Sequence, residues 1–335
     1  MMNIKNNIRK VLLNNLNQDT VDFVYKIYSK MRYPSQMQKI CSFGEKNPDC
    51  TIYIIRPRTD GTEGLMSLFI NAVHNLCFAE EHGYEAVIDF QNYHTQYSDD
   101  VGGKKNVWDF YFTQPSKCSL NEAYQSKNVI LSGLEISWYK TELMKKSYDD
   151  VDLKKSHDFI FGKINFSVNV ETAVTEVLDK MQIQLDKTLG LYLRGTDYIA
   201  LKPSGHPIQP TVEQAIDVVN EYIAKYDIEK VFLVTEDAKI YKKIKSKYAD
   251  MCVTVPGDTF VEDYKGKNYL SHDNSISELN VSPYMRGLNY LVKLIILSKC
   301  GYFVGGDTMG AWSTMLFAGG SYKKKYIFDL GTYGK

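Results

Sequence analysis

The run Leu189-Gly-Leu-Tyr-Leu-Arg-Gly-Thr-Asp197 changes character halfway along its length. Its first five residues are apolar or small, and its last four are polar and turn-forming. A short apolar run closed by turn residues reads as a buried strand, here Leu189–Leu193, followed by a loop. In doubly wound α/β sheets, ligands sit just beyond the carboxyl ends of the strands. Arg194 at such an end can fork two phosphate oxygens, a geometry lysine does not offer. Gly195 lets the backbone approach a ligand closely. Asp197 can act as a base or orient Arg194. The alternative is an Arg–Asp pair in a surface turn.

Downstream, strands and helices alternate. Thr211 to Lys225 reads as a helix, Val231–Val234 as a strand, Ala238 to Tyr248 as a helix and Met251 to Val255 as a strand. Arg286 to Ser298 is a helix, Tyr302–Val304 a strand, Gly310 to Ala318 a helix and Tyr326–Phe328 the last strand. Upstream, a helix at about Val170 to Met181 follows a polar, lysine-rich stretch from Tyr139 to His157. Before it, Thr51–Ile55, the turn-rich Arg56–Gly64, a long helix from Leu65 to His82 and the strand Ala86–Phe90 form another β-loop-α-β unit. Gly83 stands where a helix C-cap belongs, and Val129–Leu131 is a further short strand. Ile8, Val11, Leu12, Val21, Val24, Tyr25 and Tyr28 have roughly helical spacing. The fold class is therefore α/β, with two Rossmann-like lobes and a cleft between them. A helical lead-in covers 1–50, a first lobe 51–165 and a second, ligand-binding lobe 166–335.

Bulk composition narrows the function. Hydrophobic residues are 44% of the 335, which suits a globular chain. Forty basic residues balance forty acidic ones, which argues against a general nucleic-acid coat. The six cysteines form no C-x-x-C pair and read as reduced thiols of a cytoplasmic protein. No segment is long and apolar enough to span a bilayer. The modest basic charge of the lead-in leaves a peripheral hold on a membrane open.

Two further loops are polar in a specific way. Thr235-Glu-Asp237 follows a strand, where carboxylates can hold ribose hydroxyls or cap the next helix. Gly305-Gly-Asp-Thr-Met-Gly310 joins a strand to a helix whose free N–H groups favour a phosphate. Asp307, Thr308, Met309 and Gly310 are the candidate contacts. Asp150-Val-Asp152 is a D-x-D, but it lies in a lysine-rich stretch away from any strand end, so no metal is expected there. Val107-Trp-Asp-Phe-Tyr-Phe112 reads either as core or as a ligand wall.

Taken together, these stretches resemble the fucosyltransferase superfamily: the α1,6-, α1,2- and protein O-fucosyltransferases and the nodulation enzymes. Tyr192-Leu-Arg-Gly-Thr-Asp197 resembles the family's arginine loop, and His206-Pro207 follows at the α1,6 offset. Glu236-Asp237, Asp273-Asn-Ser-Ile-Ser277, Arg286-Gly287, Leu297-Ser298 and Thr308-Met309 fall in the family order. Gly61-Thr-Glu-Gly64 resembles its glycine-rich loop, and Asn106 to Pro115 a stretch of bacterial polysaccharide members. The likeness covers about residues 50 to 335. It departs from the pattern at Tyr192, Gly195, Lys202 and near Lys293, where relatives carry His, Arg, Glu and Asp.

The resemblance implies an inverting, metal-independent GT-B transferase. Its nucleotide-sugar donor would be GDP-fucose and its acceptor a glycan, with no other cofactor. Arg194 would bind the β-phosphate and the acids near Asp237 the nucleoside. Gly195, Thr196, His206, Thr235, Glu236, Gly61, Glu63 and Gly64 complete the expected donor contacts. Trp108 and Tyr111 could stack on acceptor sugars. Asp197 is the first choice of base. His206 is the other candidate but reads better as the start of the next helix and a cap on the pocket. Glu63 is the next residue to test if Asp197 only organises the arginine loop. A different nucleotide sugar, or a silent nucleotide- or glycan-binding protein, are the alternatives.

Overall fold

The computed structural model describes residues 31, 33–58, 63–98, 105–137, 139–262, 264–266, 269–270 and 281–334. The expected lead-in helix, Gly61 and the Asp273–Ser277 stretch lie outside the described residues.

The first sheet has the order β1-β4-β2-β3, from Lys39–Cys41 (β1), Ile52–Ile55 (β2), Glu85–Ile88 (β3) and Val129–Leu131 (β4). β2 runs parallel to both β3 and β4, and β1 is antiparallel to β4. All four residues of β2 are buried, as a parallel strand covered on both faces requires. Helix α1, Leu65–Glu81, joins β2 to β3, and Gly83 just past its end takes φ +65°. Most of α1 is buried, because it is apolar nearly all round.

The second sheet is fully parallel, in the order β7-β6-β5-β8-β9. Its strands are Thr188–Tyr192 (β5), Lys230–Val234 (β6), Cys252–Val253 (β7), Tyr302–Gly306 (β8) and Lys324–Phe328 (β9). The stretch expected as a plain polar run contains a helix, α2, Asp150–Lys163. Helices α3, Val168–Met181, and α4, Thr196–Leu201, precede and follow β5. Val212–Lys225 (α5), Ala238–Tyr248 (α6), Pro283–Lys299 (α7) and Met309–Ala318 (α8) link the later strands.

One hydrophobic cluster runs through both sheets. α8 packs on α1 and α2, and α7 on α3. Phe69 of α1 meets Phe317 of α8 edge-on at 5.4 Å. Gly190 permits the sheet to approach α7, since a Cβ there would lie 2.8 Å from Leu297 Cδ2. Among the described residues, no helix is long and apolar enough to cross a membrane.

Candidate functional site

β5 lies between β6 and β8, with Tyr192 in register with Val234 and Gly305. The loops after these three strands therefore open at one edge of the sheet. The Leu193 N–H donates to the Val234 carbonyl at 3.0 Å, extending the pairing one residue past the strand. Thr196 then takes φ +39°, a left-handed conformation that is costly for a β-branched residue. Carboxylates hold it there. Its N–H donates to Asp237 Oδ2 at 3.1 Å. Its hydroxyl lies 2.9 Å from Glu236 Oε1 and 3.1 Å from Asp197 Oδ1. The Gly195 N–H donates to Glu236 Oε1 at 2.9 Å. Only glycine fits at 195, because a Cβ would stand 2.6 Å from the Asp237 carboxyl group.

Arg194 pairs with Asp197 Oδ1 at 2.8 Å and Glu236 Oε2 at 3.5 Å, and its guanidinium lies 5.0 Å from the Tyr198 ring centre. Burial alone disfavours its charge. Glu236 and Asp197 outweigh that effect and hold the proton well above the ordinary arginine range. Arg194 is thus a fixed cation with 18% of its side chain exposed.

Asp197 is 2% exposed. Its Oδ1 accepts from Arg194 at 2.8 Å and the Tyr198 N–H at 3.0 Å, and its Oδ2 from the Leu270 N–H at 3.0 Å. A general base needs a lone pair within reach of the reacting hydroxyl. Oδ1 is thus held by donors of its own loop and Oδ2 by one backbone N–H from outside it, an arrangement that lends no support to the expectation that Asp197 faces an acceptor. His206 lies beside that loop, edge-on to Tyr198 at 5.7 Å and stacked on Tyr269 at 6.0 Å. Burial pulls its pKa below the usual histidine value, against the pull of Asp197. Its ring is therefore neutral at neutral pH and keeps a lone pair.

The acidic pair divides its work. Asp237 caps α6, its Oδ1 accepting from Lys239 and Ile240 N–H at 2.8 and 3.1 Å. Glu236 braces the arginine loop, and buried Thr235 accepts from the Asp237 N–H at 3.2 Å. In the third loop Asp307 accepts from the Tyr148 hydroxyl at 2.5 Å and pairs with Lys146 at 2.7 Å. Thr308 caps α8 through the Ala311 N–H at 3.0 Å, and Met309 is the first helical residue. Gly310 sits against the hydroxyls of Tyr192 and Tyr290, which are 3.1 Å apart. A Cβ there would be 2.4 and 2.3 Å from them.

The first sheet reaches this region along one seam. Glu63 Oε1 accepts from Arg58 Nε at 3.1 Å, and the Glu63 carbonyl accepts from Gln96 Nε2 at 2.7 Å. The Gln96 carbonyl accepts from Arg286 at 2.9 Å, and Arg286 stands 5.6 Å from the Tyr97 ring centre. Tyr97 accepts from the Leu65 N–H at 2.9 Å. Burial raises the Tyr97 pKa, against that hydrogen bond and the charges of Arg286 and Arg194. Both arginines therefore lie within electrostatic reach of one phenol. A Cβ at Gly64 would meet nothing within 4 Å.

Trp108 and Tyr111 do not offer a sugar platform. They are 2% and 1% exposed. Trp108 stacks on Phe69 at 6.4 Å, and the Tyr111 hydroxyl donates to the Tyr284 carbonyl at 3.0 Å. These rings fill the core, the other reading of that stretch. Asp150 and Asp152 lie in the first turn of α2, capped by Asp149, and Asp150 pairs with Lys325. Among the described residues, no group of three or more His, Cys, Asp or Glu side chains is arranged to hold a metal.

Sequence reasoning missed Tyr97, Tyr290 and Tyr148, and assigned Arg286 no place in the site. Arg286 and Tyr290 are four apart on one helix, so they share a face. Tyr97 lies in the polar segment Thr95-Gln-Tyr-Ser98, where no periodicity marks it.

No family model matches the chain, and no curated relative matches it by sequence. Solved structures do. Fucosyltransferase NodZ from Bradyrhizobium matches over 86% of this chain and 97% of its own, with TM-score 0.50 at 14% identity. NodZ α-1,6-fucosyltransferase soaked with GDP-fucose matches over 86% and 98%, with TM-score 0.49 at 12% identity. Arabidopsis thaliana FUT1 in complex with GDP matches over 85% and 72%, with TM-score 0.43 at 10% identity. The chain has the α/β fold of the Bradyrhizobium fucosyltransferase.

Proposed function

We propose that the chain is an inverting glycosyltransferase of the two-lobed GT-B type, with GDP-fucose as donor and a glycan as acceptor. The observation that carries this reading is Arg194, a fixed cation at the carboxyl end of the central strand. Departure of the nucleotide from the sugar leaves negative charge on the diphosphate. A preorganised guanidinium with the α8 helix start beside it stabilises that charge without rearrangement. On this reading the protein's own groups neutralise the charge, and no metal is required. Glu236 and Asp237 shape the arginine loop. Lys293 pairs with Asp258, which leaves a buried carboxylate oxygen, Asp258 Oδ2, without a partner. We read that oxygen as a candidate acceptor for a guanine edge, in place of the Asp that relatives carry near Lys293.

The acceptor hydroxyl must lose a proton as the new bond forms. His206 is the group we assign as base, because it is neutral and half-buried beside the Arg194 loop. Asp197 is the organiser of that loop.

A thermal-shift series tests the reading. Saturating GDP without added divalent ion should stabilise the chain, by about 2.7 kcal/mol at a hundred times its Kd. UDP should do less. Arg194→Lys should keep the fold but lose about 2–4 kcal/mol of transition-state stabilisation, read as kcat/KM. Equal stabilisation by UDP, a strict need for Mg²⁺ or Mn²⁺, or normal turnover by the lysine variant would each count against it. Donor hydrolysis without acceptor separates an enzyme from a silent binder.

A further inference from the structure

A cavity of about 220 Å³ lies at the carboxyl end of the first sheet, between the ends of β2 and β4 and the flank of α1. It is smaller than the roughly 300–1,000 Å³ of a drug-sized site, and is on the scale of one sugar ring. Its lining is satisfied unevenly. Asn75 is fully engaged, accepting from the Tyr53 hydroxyl at 2.8 Å and donating to the Asn71 carbonyl at 2.9 Å. Asn71, one turn earlier, is 4% exposed, yet its side-chain oxygen has no donor. Gln36 Oε1, on the same wall, is in the same state. Buried acceptors without donors are costly, and a hydroxyl-bearing ligand would satisfy them.

The cavity also carries a charge. Arg56 hydrogen-bonds through Nε to the Ser132 carbonyl at 2.9 Å and through its terminal nitrogen to the Met37 carbonyl at 3.1 Å. The Tyr93 ring lies 5.2 Å from its guanidinium. Among the described residues no carboxylate pairs with it, whereas its neighbour Arg58 pairs with Glu63 at 3.1 Å. A half-buried guanidinium whose hydrogen bonds go to neutral carbonyls still attracts an anion, although Glu135, which acts on Tyr53 together with Arg56, offsets part of that field.

We propose that this cavity is an acceptor subsite for an acidic sugar. A ring hydroxyl donates to Asn71 Oδ1, and the anionic substituent pairs with Arg56. The proposal rests on the glycosyltransferase reading. The seam from Arg58 and Glu63 through Gln96 to Arg286 connects the cavity wall to the donor side.

Calorimetric titration of the whole chain tests it with four probes: methyl glucuronide, glucose 6-phosphate, methyl glucoside and inorganic phosphate. At least one acidic sugar should bind about tenfold or more tighter than the neutral glucoside, and the better of the two names the anion. Arg56→Gln should reduce the acidic sugar to the neutral one. Should that variant fail to fold, Asn71→Leu carries the test: it should raise Tm by removing the unpaired acceptor, and abolish sugar binding. Equal binding of acidic and neutral sugars, phosphate binding as tightly as the sugars, or unchanged binding by Asn71→Leu would overturn the proposal. GDP stabilisation is read on the same samples. If it persists while no sugar binds, this inference alone fails. If sugar binds and GDP has no effect, the donor reading alone fails.

Discussion

The carboxyl ends of the two sheets are built on opposite plans. At the second sheet the polar groups of the turn are consumed by one another: Asp197 has both oxygens engaged, Glu236 takes the Gly195 N–H, and Asp237 divides itself between Thr196 and a helix start. At the first sheet a cavity stays open, Asn71 Oδ1 has no donor, and Arg56 has only carbonyls. The first plan suits a ligand whose charge must be met by a rigid clamp. The second suits a ligand that brings its own donors and an anion. The difference shows that a polar strand-end loop does not by itself name a reacting group. A carboxylate whose oxygens are both held by buried protein donors serves first as framework.

His206 offers the largest test of this contrast, since it stands beside the saturated network yet keeps a free ring nitrogen. If it is the base, His206→Gln should lower kcat/KM by about 10²–10⁴-fold with donor binding nearly unchanged. Protonation removes the lone pair, so activity is present above its pKa and lost as pH falls through it. Burial lowers that pKa, so the acid limb should lie below the ordinary value of about 6.5. Stability should fall in the same direction, because the unfolded chain takes up the proton first. A rate profile whose acid limb is untouched by His206→Gln would return the role to Glu63.

Asp197→Asn comes next. Removing one partner of a buried ion pair costs about 3–5 kcal/mol, and Glu236 remains to hold Arg194, which argues for the lower end. Stability and GDP affinity should fall together, read by denaturant unfolding and calorimetry. Loss of turnover alone, with GDP affinity kept, would make Asp197 a base after all and break the contrast.

The sequence made the second sheet largely legible. Its strands are short apolar runs closed by polar turns, and its helices carry clear periodicity, as in Val212–Lys225 under the Thr211 cap. Two kinds of feature stayed hidden. Helix Asp150–Lys163 buries only Leu153, Ser156 and Ile160, too thin a stripe among lysines to stand out. The edge strand Lys39–Cys41 is mostly exposed and lacks an apolar run. In the site, residue types at strand ends were readable but their roles were not. Role depends on which donors reach each oxygen, and the donors to Asp197 include Leu270, seventy-three positions away. The aromatic stretch around Trp108 shows the same limit, because stacking on sugar and stacking on Phe69 call for the same ring.

The smallest expected effects come from a matched pair of glycines. At Gly195 an added methyl meets the Asp237 carboxyl group 2.6 Å away, and Asp237 cannot yield without releasing the Thr196 N–H and the α6 cap. Gly195→Ala should therefore cost about 1–3 kcal/mol, the usual price of overpacking. Gly64 precedes α1 with φ −62° and ψ 153°, backbone values that alanine adopts freely. Its methyl meets nothing within 4 Å. Stiffening the unfolded chain would stabilise by about 0.4–1 kcal/mol, and alanine's weakness as an N-cap offsets part of that. Gly64→Ala should thus leave Tm nearly unchanged. If the space beside it is there for a ligand, the same methyl should raise a substrate KM while stability stays level. A variant neutral in both Tm and KM would show that the open space at Gly64 faces solvent, and would leave the first sheet's ligand surface to the Arg56 cavity alone.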